Sequence, residues 1–180
     1  MSDYMTTYTK KHFTVLEPKI EDIDIIDIAH ALSMLPRSNG HFSQFYSVGQ
    51  HSVCCCLEAI ERDYEPRVCL GALLHDASEA YLCDIIRPIK KELPQYLAIE
   101  EVLQNMIYQK FLRSPLVPEE MQRITDIDDT MLSAEFKFFM NEELPLTKSA
   151  LSIRPTFAFR PFSDTEEEFL KYFHRLSALL

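Results

Sequence analysis

An all-α bundle of about six helices is the fold this sequence predicts. Apolar residues recur at helical spacing through most of the chain. There are only three glycines and no tryptophan, and prolines stand at the edges of the periodic runs rather than inside them. The 180 residues suit one domain, 1–180, with a full core.

The first element is a short strand in "YTKKHFTVLEP", stopped by Pro18. A strand pair drawn from this N-terminal stretch and the 141–163 segment is the one expected departure from helix. "EDIDIIDIAHALSMLP" reads as the first helix, with Ile23, Ile26, Ala29 or His30, and Leu32 or Ser33 on its inner stripe and acids in its first turns. Residues 37–46, "RSNGHFSQFY", are a polar loop. A second helix runs from about Ser47, a capping residue, to Asp63. Pro66 opens a third over "PRVCLGALLHDASEAYL", and its Val68–Leu74 stretch is apolar all round, as a helix buried on every side requires.

"CDIIRPIKKELP" connects to a fourth helix, "QYLAIEEVLQNMIYQKFL". A fifth, "PEEMQRITDIDDTMLSAEFKFFM", is opened by proline and acids. Residues 141–163, with Pro145, Pro155 and Pro161, read as irregular. The last helix, "SDTEEEFLKYFHRLSALL", takes Ser163 or Asp164 as its cap.

The net charge of -10 argues against stable, sequence-independent binding of nucleic acid, which needs a basic face. Five cysteines, three of them consecutive (Cys54, Cys55, Cys56), read as free thiols. Neighbouring helical side chains point about 100° apart, so the trio cannot close on one ion. No apolar leader opens the chain and no run of about 18 apolar residues spans a bilayer, so a soluble cytoplasmic protein without membrane contact is expected.

Buried charge is where chemistry enters. His75 and Asp76 stand at the end of an apolar run, and Glu79 follows one helical turn after His75. Ionisable groups in such a place need water, counter-charge or a cation. On the fifth helix, with Asp128 at zero bearing, Met121 and Phe139 fall at about 20°, Ile124 at about -40° and Leu132 at about 40°. Asp128 therefore occupies the centre of the apolar stripe, with Glu135 at about -20° beside it. Asp129 and Asp126 point away, where solvated acids belong. A buried salt bridge or a capped histidine would account for any one of these groups. Few basic side chains accompany them on these faces, so a divalent cation held by imidazole and carboxylate explains the set better. A further ligand is expected from the neighbouring helix, where His51 lies in the first turns.

His51, then His75-Asp76, then a lone aspartate at 128 resembles the HD-domain metal-dependent phosphohydrolases. The likeness is closest to the branch of bacterial 5′-deoxynucleotidases of the YfbR type and phage dATP triphosphohydrolases. It is carried by "DIAHALS", "R-x-x-G-H", "FYSVGQHS", "ALLHDASEAYLCD", "RPIK" and "IDDTMLSAE", over roughly residues 23–136. The resemblance implies a helical bundle with a metal at its centre, ligated by His51, His75, Asp76 and Asp128. It implies Glu79 as the acid–base residue acting on the attacking water, and Asp84 as a residue placing the nucleotide or the water. Arg37 and Lys90 would hold phosphate oxygens, and His41, in the same loop as Arg37, could meet phosphate or be a plain loop histidine.

Two imidazoles and two carboxylates suit Mn²⁺, Co²⁺, Fe²⁺ or Zn²⁺, with Mg²⁺ as a second ion near the phosphates. The implied reaction is release of phosphate from deoxynucleoside 5′-monophosphates. The same site could instead release triphosphate from dATP, and a metal-containing nucleotide sensor is the non-enzymatic alternative. A homo-oligomer is also implied. Ser38-Asn39 stand where relatives commonly carry an aromatic residue, which leaves sugar and base preference open, and Cys83 and Ile86 replace a small residue and a proline.

Overall fold

The computed structural model describes residues 3–146 and 149–180. A short hairpin, β1 (Met5–Thr6) antiparallel to β2 (His12–Phe13), precedes α1 (Ile25–Met34), a 3-10 turn (Arg37–Gly40), α2 (Val48–Glu61) and α3 (Pro66–Leu74). Two one-turn helices follow, α4 (Glu79–Leu82) and α5 (Arg87–Lys90), then α6 (Pro94–Leu112), α7 (Pro118–Met140) and α8 (Phe162–Ser177). The chain is an all-α bundle with a small two-stranded sheet. Its strand pair is local to the N-terminus, so the expected partner in the 141–163 segment is replaced by β1. Residues 1–2 and 147–148, which belong to the expected domain and to that segment, lie outside the described residues.

Helix α2 packs against α1, α3, α7 and α8. That surrounds it with apolar neighbours and explains why Cys54, Cys55 and Cys56 are all buried although they point in three directions. Ser47 caps α2, its Oγ accepting from the Gln50 N–H at 3.0 Å. Gly49 allows α1 to lie close: a Cβ there would meet the backbone N of Ser33 and the carbonyl O of Leu32 at 3.0 and 3.1 Å. Helix α3 is buried from Val68 to Leu74, as its all-round apolar face requires.

Three expectations change. The inner stripe of α1 is Ile28, Ala29, Leu32 and Ser33, whereas Ile26 faces out. Asp27 is also inward, because its carboxylate accepts from the Thr9 N–H and Oγ at 2.6 and 2.8 Å and ties the hairpin to α1. The third helix ends at Leu74 instead of running through Leu82. Gln104 of α6 occupies the break: its amide donates to the Leu74 carbonyl at 2.8 Å and accepts from the Ser78 N–H at 3.1 Å. These bonds satisfy backbone groups that a continuous helix would have paired internally. Finally, α8 starts at Phe162 after Pro161, with Ser163 and Asp164 inside its first turn.

The described residues between Met140 and Phe162 form no helix or strand, and α2 side chains meet their backbone instead. Gln50 donates to the carbonyls of Thr156 and Ala158 at 3.0 and 3.1 Å, and Glu58 accepts from the N–H groups of Ser152 and Ile153 at 3.0 Å. Burial opposes ionisation of Glu58, but these N–H groups and Arg62 outweigh it and lower the carboxyl's pKa. A lowered folded pKa gives stability that is present above the unfolded carboxylate range and lost as pH falls through the folded value. Glu58→Ala should therefore cost about 2 kcal/mol at pH 7. Urea denaturation should show the gap from the parent narrowing below about pH 4; a gap constant with pH would mean the carboxylate charge contributes nothing.

Candidate metal centre

Three segments deliver four side chains to one point. His51 comes from the N-terminal half of α2, His75 and Asp76 from the turn that follows α3, and Asp128 from the middle of α7. His51 Nε2 lies 3.1 Å from Asp128 Oδ1, 3.3 Å from His75 Nε2 and 3.8 Å from Asp76 Oδ2. His75 Nε2 lies 3.2 Å from Asp76 Oδ2 and 3.8 Å from Asp128 Oδ1. Metal–ligand bonds of about 2.1 Å set neighbouring ligand atoms roughly 3.0–3.4 Å apart; the separations of 3.1, 3.3 and 3.2 Å match that spacing, and the two of 3.8 Å lie somewhat beyond it.

The tautomers agree with that geometry. His51 Nδ1 donates to Glu135 Oε1 at 2.6 Å and His75 Nδ1 donates to the Ala72 carbonyl at 2.8 Å. Both acceptors can only accept, so in each neutral ring Nε2 carries the lone pair. Two lone pairs facing each other at 3.3 Å call for a proton or a cation between the rings and the carboxylates. Burial works against charged imidazolium in both rings. Asp76 and Asp128 nonetheless hold His75 well above its ordinary pKa, and Glu135 and Asp128 raise His51 in spite of both burial and Arg37. The carboxyls respond in the opposite sense: burial would raise them, but the imidazoles hold Asp128 and Asp76 far below the usual range.

His51, Cys55 and His75 also form a buried cluster capable of coordinating a metal ion, their ligand atoms lying within 4.8 Å of one another. The thiol is the weaker candidate donor. Cys55 Sγ is 3.5 Å from His51 Nε2 and 4.0 Å from Nδ1, which puts it beside the ring rather than ahead of the Nε2 lone pair. Burial, reinforced by Asp128 and Glu135, keeps the thiol pKa well above its usual value.

Next to the cage lies a cavity of about 460 Å³, within the range of small-molecule sites. Its polar lining includes Arg37, Asp76, Glu79, Asp84, Lys90 and Asp128; Phe42, Leu132, Phe136 and Leu144 are among its apolar residues. Arg37 is buried and reaches Asp76 Oδ2 and Glu135 Oε2, each at 3.4 Å. Lys90 is engaged with Glu100 at 2.6 Å and stands 3.6 Å from Glu79 Oε1. Glu79 is 3 % exposed and its Oε2 has no hydrogen-bond partner among the described residues. Burial, then Asp76 and Asp84, raise its carboxyl well above the normal value. Burial raises Asp84 too. His41 is exposed and is not among the residues lining the cavity.

Several participants had no role in the sequence reading. Glu135 lay on the buried stripe of α7, a signal that marked it as unusual without naming its partner. Arg87 donates to Asp128 Oδ2 and Asp129 Oδ1, both at 2.6 Å, so Asp129 is ion-paired rather than simply solvated. Asp126 is likewise paired, with Arg62 at 2.6 Å.

No family model matches the chain. It is 39 % identical over 114 residues to the uncharacterized protein YfdR of Escherichia coli, a match covering 63 % of this chain and 61 % of that protein. It is 32 % identical over 128 residues to an uncharacterized protein of Rhodobacter capsulatus, covering 67 % of this chain and 64 % of that protein. The chain thus spans about three fifths of the length of the curated relatives it matches. Among the described residues, no helix is long and apolar enough to cross a membrane.

Proposed function

We propose that this chain is an HD-type phosphohydrolase that releases phosphate from deoxynucleoside 5′-monophosphates with the aid of a divalent ion held by His51, His75, Asp76 and Asp128. The observation that carries the reading is the convergence of two imidazole Nε2 atoms and two carboxylates beside a cavity that also holds Arg37, Lys90 and a buried Glu79, one of whose carboxylate oxygens has no hydrogen-bond partner among the described residues.

A divalent ion there supplies Lewis acidity for phosphoryl transfer. The chain's own groups do the rest. Arg37 and Lys90 neutralise charge on the phosphate oxygens, Lys90 by exchanging its contact with Glu100 for the substrate. Glu79 lines the same cavity as Asp76 and Asp128 and would take a proton from water there, burial and its acidic neighbours holding its carboxyl above the ordinary range. Asp84 places the nucleotide or the water. The apolar lining, with Phe42 and Phe136, offers surface for a sugar or base.

Arg87 favours a second reading, release of triphosphate from dATP. Its half-exposed guanidinium gives the cavity a third cation, which a longer phosphate chain could use. Elemental analysis of the purified protein should find a transition metal. Incubation with dAMP and with dATP, followed by chromatography, should give phosphate from the first; triphosphate from the second would move the assignment. Bound metal and nucleotide with neither product would leave a sensor.

A further inference from the structure

We infer that Glu135 is a positioning residue of the metal centre, holding the His51 imidazole from behind so that its Nε2 faces the ion. This rests on the metal reading above. The central contact, between His51 and Glu135, lies outside the cavity lining.

Helix α7 grips His51 at both ring nitrogens. Asp128 Oδ1 lies 3.1 Å from Nε2, and Glu135 Oε1, two turns further along the same helix, lies 2.6 Å from Nδ1. Both side chains of the His51–Glu135 pair are fully buried. The other carboxylate oxygen of Glu135 meets Arg37 at 3.4 Å, and the same guanidinium meets Asp76 at 3.4 Å. One buried carboxylate therefore links a ligand from α2, a ligand from the turn after α3 and the cation between them.

His75 shows what a less elaborate support looks like. Its Nδ1 donates to the Ala72 carbonyl, a neutral acceptor three residues back in the last turn of α3. A carboxylate acceptor does more than fix the tautomer: it makes the opposite nitrogen a stronger donor to a cation. The competing explanation is that Glu135 is only the counter-ion of buried Arg37. In that case the contact with His51 would be incidental and removing both charges together would restore the site.

Three variants separate these accounts: Glu135→Gln, Glu135→Leu and the double variant Glu135→Leu/Arg37→Met. Zinc affinity is measured by competition with a chromophoric chelator, cobalt spectra report the ligand field, and circular dichroism of the metal-free proteins checks folding. Glu135→Gln keeps an acceptor but loses the charge and should bind zinc about tenfold more weakly; Glu135→Leu should lose about a hundredfold. The double variant should stay as weak as Glu135→Leu, with a cobalt spectrum altered from the parent's. Unchanged affinity in folded Glu135→Gln and Glu135→Leu, or recovery in the double variant, would overturn the assignment. Should Glu135→Leu not fold, the near-isosteric Gln variant decides alone. A parent protein that binds no stoichiometric metal would sink the metal reading itself, and this inference with it, whereas a parent that binds while the Glu135 variants match it sinks only this inference.

Discussion

Asp128→Ala should weaken ion affinity at the proposed centre by at least about a hundredfold and abolish the proposed hydrolysis with it. Asp128 is the carboxylate nearest His51 Nε2, at 3.1 Å, and α7 contributes no other side chain to the cage of four. Asp129→Ala, one residue away, is the contrasting case. Among the described residues its carboxylate meets only Arg87, whose side chain is half exposed, so the change should leave metal content intact and cost no more than about 1 kcal/mol. The same titrations should release protons. Without an ion, Asp76, Asp128 and Glu135 favour protonated imidazoles, so an incoming cation must displace protons from Nε2. Affinity should accordingly weaken as pH falls, by up to about tenfold per pH unit for each imidazole that gains a proton. Equal metal content in the Asp128 and Asp129 variants, measured by plasma emission, would remove Asp128 from the ligand set.

Periodicity pointed to Asp128 over Asp129 in the sequence, and the fold brings the Asp128 carboxylate to 3.1 Å from His51 Nε2; the expected stripe is only partly core, since Met121 is 40 % exposed while Ile127 is buried. The ends of α7 were legible too: Pro118 at the start and the loss of pattern after Met140 reproduce the observed bounds. Ser47 announced α2 for the same local reason, a hydroxyl able to accept from the first turn. The readings that changed depend on partners far away in the chain. The break after Leu74 needs Gln104, thirty residues on, to satisfy the backbone it exposes. The backbone after Met140 is held by Gln50 and Glu58, and no local pattern shows that an α2 side chain will replace a strand partner. Ile26 was expected on the inner stripe of α1, but with Asp27 held by the hairpin it is Ile28 that faces in and Ile26 that faces out. At the site, the bearing of Glu135 showed that a carboxylate was buried, but only the fold brings the Nδ1 of His51 to it. The resemblance implied Lys90 as a phosphate contact, and no local pattern showed that Glu100 on α6 would hold it.

Glu79→Gln should separate binding from chemistry. The substitution keeps shape and leaves the four cage residues untouched, so metal content should equal the parent's while kcat falls about 10²–10⁴-fold. The pH profile gives an independent reading. A base works only when deprotonated, and burial beside Asp76 and Asp84 raises this carboxyl well above its ordinary range. The acid limb of the parent's rate should therefore lie above the ordinary carboxylate range of about 4.3, and it should disappear from the residual rate of the variant. Stability should move the other way. With its pKa higher folded than unfolded, Glu79 makes the native state bind the extra proton, so stability declines as pH rises from the unfolded pKa to the folded one. Above that window the parent carries a buried, poorly compensated charge, with one oxygen unpartnered and Lys90 only at 3.6 Å. The Gln variant carries none, so thermal melts at neutral pH should show it more stable than the parent and similar to it in acid. A buried carboxylate that lowers stability at neutral pH would be what a group retained for proton transfer looks like. If the variant proved less stable at neutral pH and fully active, Glu79 would be a packing residue and the base would have to be sought elsewhere, with Asp84 the next candidate.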